Sequence, residues 1–288
     1  MAVALYDEPG PRGRIRILAG SVVGGAALAA LVAFVVIRLN ETGQFRAEYW
    51  EPFGGAGVQR ILFRGLIATL RAAGLALVLA LALGVLLAVG RLSEKRVIRM
   101  VSGTVVELFR ALPLVFLIFF AFIGLPRLGI DTGPFSSVVI GLTLYNGSVL
   151  AEIFRAGINA VPRGQGEAAY SIGLRKASVL RLILLPQAVR TMLPTLVSQM
   201  VVLLKDSALG FIVAYPELLR SGRRIYTNVG NVIPTAIVVA AVYITINLAL
   251  TTLAGYLERR QGGGRSHGGA DLPPEVGIGA PGGGGAPA

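Results

Sequence analysis

Residues 72–90 run for nearly a membrane's thickness without one charged side chain, and 17–37, 111–126, 132–151 and 225–257 repeat the pattern. A helix needs roughly 20 apolar residues to cross a hydrocarbon core about 30 Å thick. Residues 182–216 make a further run, broken by Arg190 and by Lys205 with Asp206. The runs predict an all-α membrane protein of about six transmembrane helices, the third extendable back to Thr104 and the last starting near Pro234. Composition agrees: 54% of the residues are hydrophobic and only 15% charged, too apolar for an ordinary soluble domain. The first run is longer than the apolar stretch of a secretory signal and lacks a small-residue cleavage site, so it is expected to be a retained helix.

Lys and Arg mark the cytoplasmic loops. Arg12, Arg14 and Arg16 precede the first run; Arg91, Lys95, Arg96 and Arg99 follow the second; Arg163, Arg175, Lys176 and Arg181 lie between the fourth and fifth; Glu258–Arg260 close the last. Alternating crossings place all of these on one side, with both termini cytoplasmic. One loop does not fit: 217–231 is expected outside, yet it holds Arg220, Arg223 and Arg224 against Glu217. A basic surface that meets an outside partner would explain it. The net charge of +12 follows largely from sidedness and calls for no nucleic acid.

Several chemistries are excluded. There is no Cys and one His, His267, in a Gly-rich stretch, so thiol catalysis and Cys/His metal sites have no residues to work with. No G-x-x-x-x-G-K-[ST] phosphate loop is present. No cofactor or metal is expected on this chain, and energy for any pumping has to come from a gradient or another subunit. From about residue 261 onward Gly and Pro dominate, a composition expected to be disordered.

The stretch GQGEAAYSIGLRKASVLRLILLPQAVR, residues 164–190, interrupts this apolar pattern. Pro162 suits the start of a short helix, Glu167, Ala168 and Ala169 favour it, and Gly173 suits its end. A second short helix is expected over 176–184, stopped by Pro186 with Leu185 pushed out of helical geometry. The result would be a rigid knuckle protruding into the cytoplasm.

Glu167, Ala168, Ala169, Gly173, Ile183, Leu185 and Pro186 match every fixed position of E-A-A-x3-G-x9-I-x-L-P. This resembles the EAA signature of importer-type ABC transporter permeases. The segments ELFRALPLVFLIFF, YNGSVLAEIFRAGINAVPRGQGEAA, LLPQAVRTMLPTLVSQMVVLLKDSALG and AYPELLRSG are similar to the polar amino-acid permeases of the histidine/glutamate/arginine group. Their look is nearest to glutamate permease subunits of high-GC Gram-positive bacteria. Departures are RALP where many members read R-G-T-P, and KDSAL where many read K-D-T-S-L.

The resemblance implies a five-helix type I ABC importer core over residues 56–257 in the bacterial plasma membrane. Residues 17–39 would be an added helix after a cytoplasmic segment 1–16, and 162–186 would form the coupling segment docking on an ATPase dimer. ATP-Mg would be bound there and not by this chain. The further partners it implies are a second permease subunit forming a heterodimer, an extracytoplasmic amino-acid-binding protein and membrane lipid, with glutamate as substrate. An ion-coupled secondary transporter is the alternative, but no inverted repeat is visible. A membrane-embedded enzyme would need convergent catalytic groups, and no such set is found.

Charged residues in membrane helices are functional candidates. Lys205 and Asp206 suit an ion pair or a pathway contact, Lys205 being the natural cation for an anionic substrate. Glu152 with Arg155 and Glu107 with Arg110 share i,i+3 spacing that permits ion pairs, so they are gate or packing candidates. Gly74, Gly84, Gly141 and Gly210 are expected to let helices approach closely.

Overall fold

A computed structural model describes residues 10–262. Residues 1–9 and the stretch beyond 262, His267 included, lie outside the described residues, as does most of the expected 261–288 tail. Nearly everything described is helical. Helix α1 spans Pro11–Glu41 and its apolar window is wholly exposed. After a short helical turn at Ala47–Trp50, α2 spans Ala56–Arg91 and α3 spans Arg96–Ala111. Then come α4 over Leu114–Arg127, α5 over Pro134–Asn159, α6 over Arg163–Ser171 and α7 over Lys176–Val213. Helix α8 covers Leu218–Val229 and α9 Val232–Gly262. Among the described residues five helices are long and apolar enough to cross a membrane, or six if α3 and α4 form one bent span.

The centre of the bundle is α2 against α5, its most extensive packing. Ala72, Ala76, Ala80 and Gly84 recur every fourth residue along one buried row of α2. Such a row of small side chains lets backbones come close, which replaces the hydrophobic drive that lipid cannot supply. Val138, Leu142 and Leu150 of α5, Leu114 and Ile118 of α4, and Leu203 of α7 complete the core.

Three expectations require correction. The 111–126 run is not a straight span extending back to 104: α3 and α4 meet at a 99° bend. Pro113 is the cause, because its ring disfavours helical geometry in the preceding residue, and Leu112 is extended at φ −82°, ψ 135°. Pro186, by contrast, does not stop its helix. Leu185 is helical at φ −62°, ψ −44°, and α7 continues past Pro186. A π turn over Val179–Leu184 precedes it, and this wider turn accommodates a residue that has no N–H to donate and whose ring displaces the carbonyl four residues back. Finally, Gly74 faces open space, whereas Gly84, Gly141 and Gly210 lie against neighbouring side chains and, at Gly84 and Gly141, against backbone.

Candidate functional site

Helix α6 and the first turns of α7 form the expected hairpin. The N-terminal boundary is Pro162, at φ −54° and ψ 132°. Gly173 ends α6 at φ +80°, a left-handed geometry that glycine adopts without a Cβ penalty. The Leu174 N–H donates to Ala169 O at 3.2 Å and the Gly173 N–H to Tyr170 O at 2.9 Å, the paired bonds of a Schellman ending. Gln187 Nε2 donates to Gln165 Oε1 at 3.4 Å and ties the two arms.

Of the seven motif residues, Ala169 is buried and Ile183 half-buried, while Glu167, Ala168, Gly173, Leu185 and Pro186 are exposed. Ala169 thus pins α6 down and the others stay on the surface. Beside them Tyr170 is 50% exposed and Ile172 77% exposed, large apolar side chains at the tip of a rigid projection. Lys176 pairs with Glu94 of the α2–α3 loop. The Lys176 ammonium, by hydrogen bond and by charge, holds the Glu94 carboxyl below the usual carboxylate range. A carboxyl lowered in this way contributes stability that is complete at neutral pH and lost on acidification through its folded pKa. Both side chains are exposed, so salt screens the pair.

At the same end of the bundle, Glu152 and Arg155 make the expected ion pair, with Arg155 Nε 3.2 Å and 3.3 Å from the two carboxylate oxygens. Arg91, at the last turn of α2, brings Nη1 to 3.2 Å from Glu152 Oε2, a charge contact outside hydrogen-bond geometry. Arg110 adds a third cation to the surroundings of Glu152. It makes no ion pair with Glu107 among the described residues, and both side chains are exposed. So Glu152, not Glu107, is the hub, and it joins α2 to α5. Replacing Glu152 with Ala leaves the arginines facing one another. The half-exposed setting limits the expected cost to about 1–2 kcal/mol, read as a lower melting temperature of the detergent-solubilised protein. Glu152→Gln is expected to fall between this variant and the native chain.

Lys205 and Asp206 make no ion pair within 4 Å among the described residues, with each other or with a neighbour. Asp206 is half-buried and does not line the neighbouring pocket; Lys205 is exposed and lines an apolar pocket of about 540 Å³ between α7, α8 and α9, together with Arg223, Tyr243 and Asn247. Sequence reasoning missed Arg91, whose partner is 61 residues away in the chain. It also missed the hydrogen bond from Gln199 Nε2 of α7 to the buried Asn146 Oδ1 of α5, at 2.8 Å. Two uncharged amides in apolar helices were the available signal, because buried amides need partners. No cluster of His, Cys, Asp and Glu suited to a metal ion occurs among the described residues.

Similar proteins share this architecture. The glutamate transport system permease protein GluD of Corynebacterium glutamicum is 42% identical over 232 residues, covering 79% of this chain and 85% of that protein. The probable glutamine ABC transporter permease protein GlnP of Bacillus subtilis is 34% identical over 203 residues, 69% of this chain and 93% of that protein. Among solved structures, an amino acid ABC transporter crystallised with histidines matches with a TM-score of 0.67 and 31% identity, covering 70% of this chain and 94% of that one. The methionine ABC transporter MetNI matches in fold, with a TM-score of 0.60 and 21% identity over 72% of this chain and 98% of that one. Residues 80–263, which include most of the core, the hairpin and α9, match the family of binding-protein-dependent transport system inner membrane components. The chain is a member of the binding-protein-dependent transport system inner membrane components, the permease subunits of ABC importers.

Proposed function

We propose that this chain is the permease subunit of an importer for a polar amino acid, glutamate foremost, and that the α6–α7 hairpin is its coupling element. The observation that carries the coupling role is the exposed, Schellman-closed projection bearing Glu167, Tyr170 and Ile172 at the junction of α5 and α7. A stiff projection transmits a rigid-body push that a mobile loop would absorb. Glutamate as substrate is supported by the 42% identity to a glutamate permease protein, and amino acids in general by the other relatives.

In this reading residues 56–257 are the permease domain and 162–186 its coupling segment, with both termini cytoplasmic. Two such domains, this chain and a second permease chain, enclose the pathway. A dimer of ATPase subunits binds ATP-Mg, closes, and draws the two hairpins together, turning the cavity toward a binding protein that delivers the amino acid. Hydrolysis returns it. This chain supplies no nucleotide site and no covalent chemistry. Membership of the ABC importer family leaves the ion-coupled alternative without support.

The test is uptake of labelled glutamate by cells carrying the native chain or Glu167→Ala combined with Gly173→Pro, with membrane levels of both measured. ATP-dependent uptake that falls to background in the variant, at equal protein level, is the expected result. Normal uptake by the variant overturns the coupling role. Absence of glutamate uptake by the native chain overturns the substrate.

A further inference from the structure

The basic loop that contradicts the charge sidedness becomes helix α8, laid across the N-terminal half of α2. The two are held closely: the Leu218 N–H donates to Thr69 Oγ1 at 3.1 Å, Tyr215 Oη donates to Ala68 O at 2.8 Å, and Gly65 leaves room for Ser221. Between them lies a cleft of about 740 Å³ lined by Arg64 of α2 and by Arg220, Arg223 and Arg224 of α8, with no Asp or Glu in its walls. From Arg64 to Arg91 along α2 is about 40 Å at 1.5 Å per residue, so the cleft lies a membrane's thickness from the coupling hairpin.

The arginines do not stop at the cleft. At 100° per residue Arg60, Arg64 and Arg71 fall within about 40° of one another on α2, a stripe about 16 Å long that runs from the helix start to the edge of the uncharged run 72–90. Its inner member, Arg71, lies over the Phe135 ring at 5.8 Å, and Phe135 in turn meets Tyr215. None of these six arginines makes an ion pair among the described residues. Glu217 is the carboxylate beside Arg220, but its oxygens are occupied by the N–H groups of Leu219 and Arg220 and by the Tyr243 hydroxyl. Gathering like charges is unfavourable unless an anion shares the site, and a concave cleft of one sign concentrates counter-ions.

We infer that this cleft is the outer reception site for the carboxylates of an anionic amino acid, held by Arg64 and Arg220 and passed inward along the α2 stripe toward Arg71. The guanidinium fork matches a carboxylate in two parallel hydrogen bonds. The acidic face of a docking protein would need cations on the outer rim only, whereas these descend along the helix. The inference rests on the reading of the chain as a glutamate importer.

The test measures uptake of labelled glutamate at saturating concentration by the complete transporter in cells, with Arg64→Gln plus Arg220→Gln, and with Arg127→Gln as control. Arg127 is exposed, at the end of α4 that leads into α5, away from the hairpin. Membrane levels and docking of the binding protein to the purified complex are measured alongside. Uptake about tenfold lower in the double variant, with docking, protein level and the control unchanged, is the expected result. Uptake within about twofold of native overturns the site. Loss of uptake that parallels loss of docking also overturns it and assigns the arginines to the binding protein's surface. A native chain that imports a neutral or cationic amino acid but no glutamate removes the glutamate reading and the anion site together. Glutamate import that ignores the arginines removes the site alone.

Discussion

Glu217→Ala is expected to destabilise the folded chain by about 3 kcal/mol and to impair transport. Glu217 is fully buried, yet it is the N-cap of α8. Its carboxylate accepts from the Leu219 and Arg220 N–H groups at 2.6 Å each and from Tyr243 Oη of α9 at 3.0 Å. Losing a cap costs about 1 kcal/mol, and each buried donor left without an acceptor costs about 1–3 more. The residue holds α8, and the arginines on it, between α2 and α9. Glu217→Gln keeps one acceptor oxygen and is expected to cost about 1 kcal/mol. Burial, the largest influence, pushes the Glu217 carboxyl above its ordinary 4.5, while the three donors and the Arg220 charge pull it down. A carboxyl raised on folding contributes stability that is complete below the unfolded pKa and lost as pH rises through the folded one. Melting of the native protein in detergent is therefore expected to weaken as pH climbs from 4.5, and the Gln variant to lose that slope. An alanine variant as stable as the native chain contradicts the capping role, and a native melting temperature independent of pH contradicts the raised carboxyl.

What could be read from the sequence was local. The hairpin was legible because Pro162, the alanines and Gly173 act within a turn or two of themselves, and the uncharged runs found the spans because hydropathy is additive along a helix. The N-terminal half of α2 was not legible: Arg60, Arg64 and Arg71 interrupt the hydropathy but not the helix, so a 36-residue helix looked like a span beginning at residue 72. The prolines divided for a reason no single-residue rule contains. Pro113 breaks its helix, while Pro126 and Pro186 each follow a π turn that accommodates them. Pairings across elements were out of reach in the same way. The i,i+3 rule found Arg155 beside Glu152 and suggested Arg110 beside Glu107, yet the fold gathers Arg91 and Arg110 around Glu152.

In the reading proposed above, the two tasks fall at opposite ends of α2. One end carries the arginine-lined cleft, and the other carries Arg91 and the loop from which Glu94 pairs with Lys176 of the hairpin. Between them runs the small-residue row that seats α5, whose far end continues into the hairpin. Under the coupling role proposed above, a push on the hairpin would be delivered to the helix that packs most extensively on the arginine-bearing one. Coupling through rigid, closely packed elements needs that seam intact.

Gly141→Leu tests the close packing on which this depends, and a destabilisation of about 3 kcal/mol or more is expected. A Cβ at Gly141 would meet Ile118 Cγ1 at 2.5 Å and the Ile118 backbone N and Cα at 3.0 Å and 3.1 Å. Ile118 is only 1% exposed, so neither its side chain nor the α4 backbone has room to withdraw. Overpacking costs typically about 1–3 kcal/mol, and contact with backbone puts this site at the upper end. Gly74→Leu is the matched control: nothing lies within 4 Å of a Cβ there, and leucine is the better helix former by about 0.8 kcal/mol. Thermal unfolding in detergent, followed by loss of the monodisperse size-exclusion peak, should show the Gly141 variant melting well below native and the Gly74 variant at or above it. Equal melting of the two would mean that α4 does not pack on α5 as closely as Ile118 and Gly141 indicate.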